Sequence, residues 1–274
     1  MNLSPSGGDK PSPGGKLALV TGASSGIGLV YARRLAEQGC DLILVARRED
    51  RLREVGKELM ARHSVQAEVQ VADLAKPEGI QRVAARIAEL PGLDFLVNGA
   101  GFGTMGNFVN IDPCRSLEMV HVHVVAPMQL CRAALPGMIA RGRGTIVNIS
   151  SLAAFLSYPG GTNYAATKAY LNSFSQSLQL ELYGTGVRVQ ALCPGFTRTG
   201  FHDTQEFKNF DRSQISERLW MSAEDVVEAS LRGLRSGSVV CIPGLKNKIM
   251  RRLISLRFVR LLAGKRLWKK PKKQ

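Results

Sequence analysis

Leu17-Ala18-Leu19-Val20-Thr21-Gly22-Ala23-Ser24-Ser25-Gly26-Ile27-Gly28 is the stretch that decides how this chain folds. Its first four residues are apolar without interruption, as suits a strand buried on both faces. Glycine and serine follow abruptly, and an amphipathic helical pattern starts at Gly26. Gly22 can take a tight turn without a Cβ clash, Gly26 lets the backbone approach a pyrophosphate, and Gly28 lets helix and strand pack closely. The helix start adds free N–H groups and a positive dipole end. A glycine-rich turn alone needs no ligand, but in this strand–turn–helix setting it points to a bound nucleotide.

Outward from this stretch the same alternation continues. Apolar runs occur at 42–45, 67–71, 95–97, 145–149, 187–192 and 239–242, and helix-like stretches at 26–38, 49–62, 78–90, 113–141, 162–183 and 223–235. Buried strands separated by helices predict an α/β fold: a Rossmann-type, doubly wound parallel sheet of about seven strands with helices on both faces. Ligands of such a sheet bind beyond the carboxyl ends of its strands.

The 274 residues suit one large domain with additions at its ends. At 45% hydrophobic and 22% charged residues, wholesale disorder, a collagen-like fibre and a membrane bundle are excluded. Cys40, Cys114, Cys131, Cys193 and Cys241 are scattered singly, which predicts neither a metal site nor a disulfide framework and suits a reducing, cytoplasmic setting. The net charge of +15 is uneven: residues 229–274 hold 14 Lys and Arg and no acid, whereas the remainder holds 23 basic and 22 acidic residues. We therefore divide the chain into a flexible Ser/Pro/Gly-rich leader (1–15), a catalytic domain (16–244) and a basic amphipathic tail (245–274). The leader lacks the features of a secretory signal, and no run approaches the 18 apolar residues of a membrane span.

The second apolar run ends in Val45-Ala46-Arg47-Arg48, with Glu49 and Asp50 only afterwards. An acid at the strand end would grip the ribose hydroxyls of NAD. Arginine instead matches a 2′-phosphate through paired donors, favouring NADP over the alternative of a solvated helix start. Farther on, Tyr164 and Lys168 stand four residues apart in a helical stretch, on one face. A nearby ammonium lowers the pKa of a phenol, so the pair can pass a proton to or from an oxygen. Ser151, just after the run 145–149, can hold that oxygen against the tyrosine.

These motifs together resemble the short-chain dehydrogenase/reductase family. Thr21 to Gly28 resembles its TGxxxGxG, and Asp73-Leu74 its adenine-contacting pair. Asn98-Gly99-Ala100-Gly101 resembles its NNAG, and Ser151, Tyr164 and Lys168 its catalytic residues. Pro194-Gly195-Phe196-Thr197-Arg198-Thr199 resembles its PGxxxT segment at the nicotinamide end. The resemblance spans 21–199 and implies an NADP(H) site made from Thr21, Gly22, Ser24, Ser25, Gly26, Ile27, Gly28, Arg47, Arg48, Asp73, Leu74, Asn98, Ala100, Gly101, Tyr164, Lys168, Pro194, Gly195, Phe196, Thr197 and Thr199. It also implies hydride transfer between nicotinamide and a carbonyl or secondary alcohol, with Tyr164 as acid/base, Lys168 on the nicotinamide ribose and Ser151 orienting the carbonyl. Family members commonly form homodimers or homotetramers through helices corresponding to 113–141 and 162–183.

Two positions depart from the pattern. Gly99 replaces the second asparagine of NNAG. His123 falls where an asparagine usually helps hold a proton-relay water, so it is either a catalytic substitute or a packed helix residue. The stretch 198–221 carries Phe201, Phe207, Phe210, Leu219 and Trp220. It reads equally as an apolar lid over a lipophilic ketone or 3-oxoacyl-type substrate and as ordinary loop packing. Phe155, Leu156, Tyr158 and Pro159 are further candidates for the pocket wall.

At 100° per residue, Ile249, Met250, Leu253, Ile254, Leu256, Phe258 and Leu261 fall on one broad face of the tail, among many cations. Peripheral attachment to an anionic membrane surface is the leading expectation. Packing on protein comes next; no nucleic-acid partner is expected, because the domain lacks a matching basic patch. A catalytically silent nucleotide sensor or membrane-surface scaffold is the alternative to an enzyme.

Overall fold

The structure is a computed structural model that describes residues 15–90, 92–207 and 211–255. Most of the leader, Phe210 and the tail beyond residue 255 lie outside the described residues.

Nine strands and eight α-helices follow one another among the described residues. The strands are β1 (Lys16–Thr21), β2 (Cys40–Ala46), β3 (Ala67–Val71), β4 (Leu93–Asn98), β5 (Gly144–Ile149), β6 (Val187–Leu192), β7 (Thr197–Arg198), β8 (Met221–Ser222) and β9 (Val240–Cys241). The helices are α1 (Gly26–Glu37), α2 (Glu49–Arg62), α3 (Pro77–Ala88), α4 (Pro113–Val120), α5 (Ala126–Ala140), α6 (Thr162–Glu181), α7 (Ala223–Arg235) and α8 (Leu245–Ser255). Seven strands form one sheet in the order β3-β2-β1-β4-β5-β6-β9, parallel throughout. The expected doubly wound α/β fold is therefore the observed one, with its strand order reversing between β1 and β4.

The runs in β1 and β2 are nearly continuous because both faces of the sheet are covered there. Alternate residues serve opposite layers: Ala18, Val20, Leu42 and Leu44 pack against α1, α2 and α7, while Leu17, Leu19, Ile43 and Val45 pack with α3, α5 and α6. The stretch expected as a single helix over 113–141 is α4 and α5 joined by a π-helical turn at His121–Val125. This helix is long and apolar enough to cross a membrane by composition, but Met119, Val122, Leu130, Cys131 and Met138 are buried in the sheet layer, as in a core helix.

Two features were not foreseen. β7 and β8 pair through Thr197↔Met221 and Arg198↔Ser222, so the excursion between them is pinned at its base. In α8 the apolar residues divide. Ile254 is buried and Met250 packs on the cluster around Leu152, whereas Leu245, Ile249 and Leu253 stand exposed. The single broad face expected for this part of the tail is thus split between protein and solvent; Leu256, Phe258 and Leu261 lie outside the described residues.

Candidate active site

The crevice opens where β1 and β4 diverge. Thr21 stitches these strand ends together: its hydroxyl accepts from Gly99 N–H (3.0 Å) and Ala100 N–H (3.1 Å) and donates to Val97 O (3.3 Å). Gly22 has φ +70°, and a Cβ there would lie 2.7 Å from Gly99 O. At Gly28 a Cβ would meet Gly22 O at 2.5 Å, so only glycine lets α1 start this close to the turn. Ser25 precedes α1 without a side-chain cap, and the first turn contains no acid, so its N–H groups are available to an anion. Across the crevice Thr199 faces Gly26, with its methyl 3.4 Å from where a Cβ would stand. These features fit a dinucleotide whose diphosphate lies over the turn.

Arg48 reaches back from the end of β2 and donates to Ser24 Oγ and Ser25 Oγ, each at 3.0 Å. Arg47 is exposed beside it. Two guanidinium groups here, with no carboxylate at the strand end, fit a ribose 2′-phosphate. Leu74 is buried, and the half-buried Asp73 accepts from Ala75 N–H at 3.0 Å, shaping the turn after β3. Asn98 points inward instead: its amide donates to Asn148 Oδ1 (2.8 Å), and its own Oδ1 has no partner among the described residues. Ala100 and Gly101 continue this turn along the crevice. Pro194 O accepts from Leu152 N–H at 2.8 Å, and Thr197 Oγ1 donates to Gly195 O at 3.1 Å, so the segment after β6 is tied to the one after β5. Phe196 stacks near Trp220, with ring centroids 5.3 Å apart.

The proton-handling groups converge beside this crevice. α6 presents Tyr164 and Lys168 on one face, with Lys168 Nζ 5.6 Å from the tyrosine ring centroid. The Ser151 side chain accepts from Ala153 N–H at 3.1 Å, in the turn that follows β5. Burial pushes the Tyr164 phenol above its ordinary value, opposed by the Ser151 side chain. Lys168, 5% exposed and donating to Ile149 O at 2.8 Å, is pulled by burial from 10.5 down to about 7. The expectation that the ammonium lowers the phenol therefore meets an opposing effect: both groups lose water, which disfavours their charged forms.

His123 occupies the π-turn and is 1% exposed. Its Nε2 accepts from Phe102 N–H at 3.2 Å, and Nδ1 lies 3.1 Å from Thr167 Oγ1, which donates to Tyr164 O at 2.9 Å. This pattern assigns the proton to Nδ1. Burial and the neighbouring Lys168 hold its pKa well below the ordinary histidine value.

A wall of rings runs from the tyrosine into the pinned excursion. Centroid separations are 5.8 Å for Tyr164–Phe201, 5.4 Å for Phe201–Phe207 and 5.4 Å for His202–Trp220. Phe201 and Phe207 press on Gly103, where a Cβ would fall within 2.9 Å and 2.5 Å of their rings. Arg115 on α4 lies 3.7 Å over the Phe102 ring and forms ion pairs with Glu118 and with Glu206 of the excursion. Sequence reasoning missed Thr167, Gly103, Arg115 and Glu206. The third glycine of Gly99-Ala100-Gly101-Phe102-Gly103 was a usable signal for one of them; nothing local links Arg115 to Glu206, 91 positions away.

Known proteins give this site a context. A family model described as short chain dehydrogenase matches residues 16–209. A short-chain dehydrogenase from Sphingobium yanoikuyae, solved in complex with NADPH, is 33% identical and superimposes with a TM-score of 0.80, over 94% of this chain and 98% of that one. The bulky-bulky ketone specific alcohol dehydrogenase from Comamonas testosteroni is 32% identical, with a TM-score of 0.75 over 88% of this chain and 94% of that one. A very-long-chain 3-oxoacyl-CoA reductase from Anas platyrhynchos is 32% identical over 84% of this chain and 72% of its own length. The chain belongs to the short-chain dehydrogenase family of NAD(P)-dependent oxidoreductases.

Proposed function

We propose that the protein is an NADPH-dependent carbonyl reductase for lipophilic ketones or 3-oxoacyl-type substrates, with Tyr164 as its general acid. The observation that carries this reading is Tyr164, on the same face of α6 as Lys168 and flanked by Phe201, at the edge of an Arg48-bearing dinucleotide crevice. Bound there, NADPH supplies the hydride taken up by the carbonyl carbon. Ser151 holds the carbonyl oxygen, and Tyr164 gives that oxygen its proton. Burial keeps the phenol protonated before the reaction, and a protonated Lys168 stabilises the phenolate left afterwards. His123 has both ring nitrogens engaged, which supports a part in positioning Tyr164 and Phe102 over one in holding a relay water.

The rings of Phe201 and Phe207 support an apolar substrate, as do the relatives named for bulky ketones and very long acyl chains. The free cysteines support a cytoplasmic setting, and the basic tail supports peripheral contact with a membrane. Exposed Leu117, Val120 and Met128 beside α6 support self-association into a dimer or tetramer.

A panel of aliphatic, bulky and acyl-thioester ketones with 4-deuterated NADPH tests the reaction. Deuterium on the carbinol carbon is the expected result. Tight NADPH binding with no product from any ketone would instead favour the silent sensor.

A further inference from the structure

α8 touches all three segments that frame the catalytic crevice. After Ser151, Phe155 lies under the Arg251 guanidinium, 5.1 Å from ring centroid to Cζ, and Met250 packs with Leu152. At the nicotinamide segment, Asn247 fills the space beside Gly195, where a Cβ would meet its Oδ1 at 2.6 Å. At the end of the aromatic excursion, Asn247 donates to Met221 Sδ at 3.5 Å and Lys246 Nζ to Arg218 O at 3.3 Å. The inward face of α8 is therefore part of the crevice rim.

Its outward face is of different chemistry. Leu245, Ile249 and Leu253 recur every four residues and are 72%, 51% and 50% exposed. At helical spacing Lys248 and Arg252 flank this stripe. The 19 residues beyond Ser255 add eight more cations and no acid. An apolar stripe bordered by long cationic side chains suits a helix lying in a lipid interface, with its aliphatic residues among acyl chains and its ammonium and guanidinium groups at the headgroups. A second copy of this chain is a poor occupant, because a two-fold contact would set cationic rim against cationic rim. A helix is about 10 Å across, so a surface that takes the stripe lies within one helix diameter of the Ser151–Phe155 segment.

We propose that the outer face of α8 rests on an anionic bilayer and that the crevice draws its carbonyl substrate directly from the lipid. This rests on the carbonyl-reductase reading and adds where the substrate comes from. Membrane contact then does more than tether: it places the aromatic-lined mouth at the depth where an apolar ketone concentrates.

The test uses the full chain and a variant carrying Leu245→Ser, Ile249→Ser and Leu253→Ser, all at exposed positions. Each is assayed with a water-soluble ketone and with a long-chain ketone dissolved in vesicles. The vesicles are phosphatidylcholine alone or phosphatidylcholine mixed with phosphatidylglycerol, and sedimentation is measured in parallel. The full chain sediments with the mixed vesicles only, and its apparent KM for the long-chain ketone falls there by about tenfold; the variant loses about tenfold in vesicle binding together with that gain. Turnover of the water-soluble ketone is the same for both. Equal sedimentation of the two proteins, or binding without a change in KM, overturns the proposal. Failure to reduce the water-soluble ketone removes the reductase reading instead, while sedimentation still reports on the surface.

Discussion

The turn at Thr21–Gly28 and the excursion at 199–220 sit on opposite sides of one crevice and are held by different means. In the turn, backbone meets backbone: a Cβ on Gly22 would strike Gly99 O, and one on Gly28 would strike Gly22 O. In the excursion, side chain meets side chain: Phe201, His202, Phe207 and Trp220 lean on one another above a two-residue ladder. A backbone contact admits one residue type, whereas a stack of rings admits many. The first region holds its glycines fixed, and the second is free to be reshaped around different substrates.

Substitutions can break this contrast at either end. The largest effect belongs to the turn: Gly28→Ala forces a Cβ to within 2.5 Å of a backbone oxygen. It should destabilise the fold by about 3 kcal/mol and abolish measurable NADPH binding, as read by thermal unfolding and calorimetry. Arg48→Ala, which removes a charged donor and leaves the backbone alone, should weaken NADPH binding by roughly 2 kcal/mol and leave NADH binding nearly unchanged. In the excursion, Phe201→Ala should cost about 1 kcal/mol in stability and raise KM for a bulky ketone by about tenfold, with NADPH affinity retained. Arg115→Ala breaks the link from α4 to Glu206. Its stability cost should stay under about 1 kcal/mol, with faster hydrogen exchange at 200–207 and not at 21–28.

The same contrast explains what the sequence revealed. β1 and β2 were legible because strands covered on both faces leave nearly continuous apolar runs, and β3 and β6 because their valines alternate with polar residues. The turn was legible because its glycines answer to backbone geometry. The β7–β8 ladder is too short to leave a periodic trace, and the Arg115–Glu206 pair has no local signature. α8 misled for a different reason: its wheel groups Met250 and Ile254 with Ile249 and Leu253, yet the fold takes the first two and leaves the others outside. A face wide enough to serve two partners cannot be divided from sequence alone. Residue chemistry left the part of His123 open; the bonds from Phe102 and to Thr167 are long-range facts of the fold.

Protonation offers a finer distinction. Burial raises the Tyr164 phenol, so its acid form persists through neutral pH. Ketone reduction, which also needs the Lys168 ammonium, should decline as pH rises through about 7, where burial places that group, whereas alcohol oxidation with NADP+, which needs the phenolate, should climb with pH. Parallel pH profiles for the two directions would show that another group handles the proton.

In the proposed reaction the hydroxyl of Tyr164 supplies the proton while the glycine turn and arginines hold the dinucleotide independently. Tyr164→Phe removes that hydroxyl alone. Turnover of any ketone the native protein reduces should fall by at least about a thousandfold, with the NADPH Kd within a few-fold of native. Turnover within tenfold of native would contradict the account, and so would a loss of NADPH binding in step with the loss of rate.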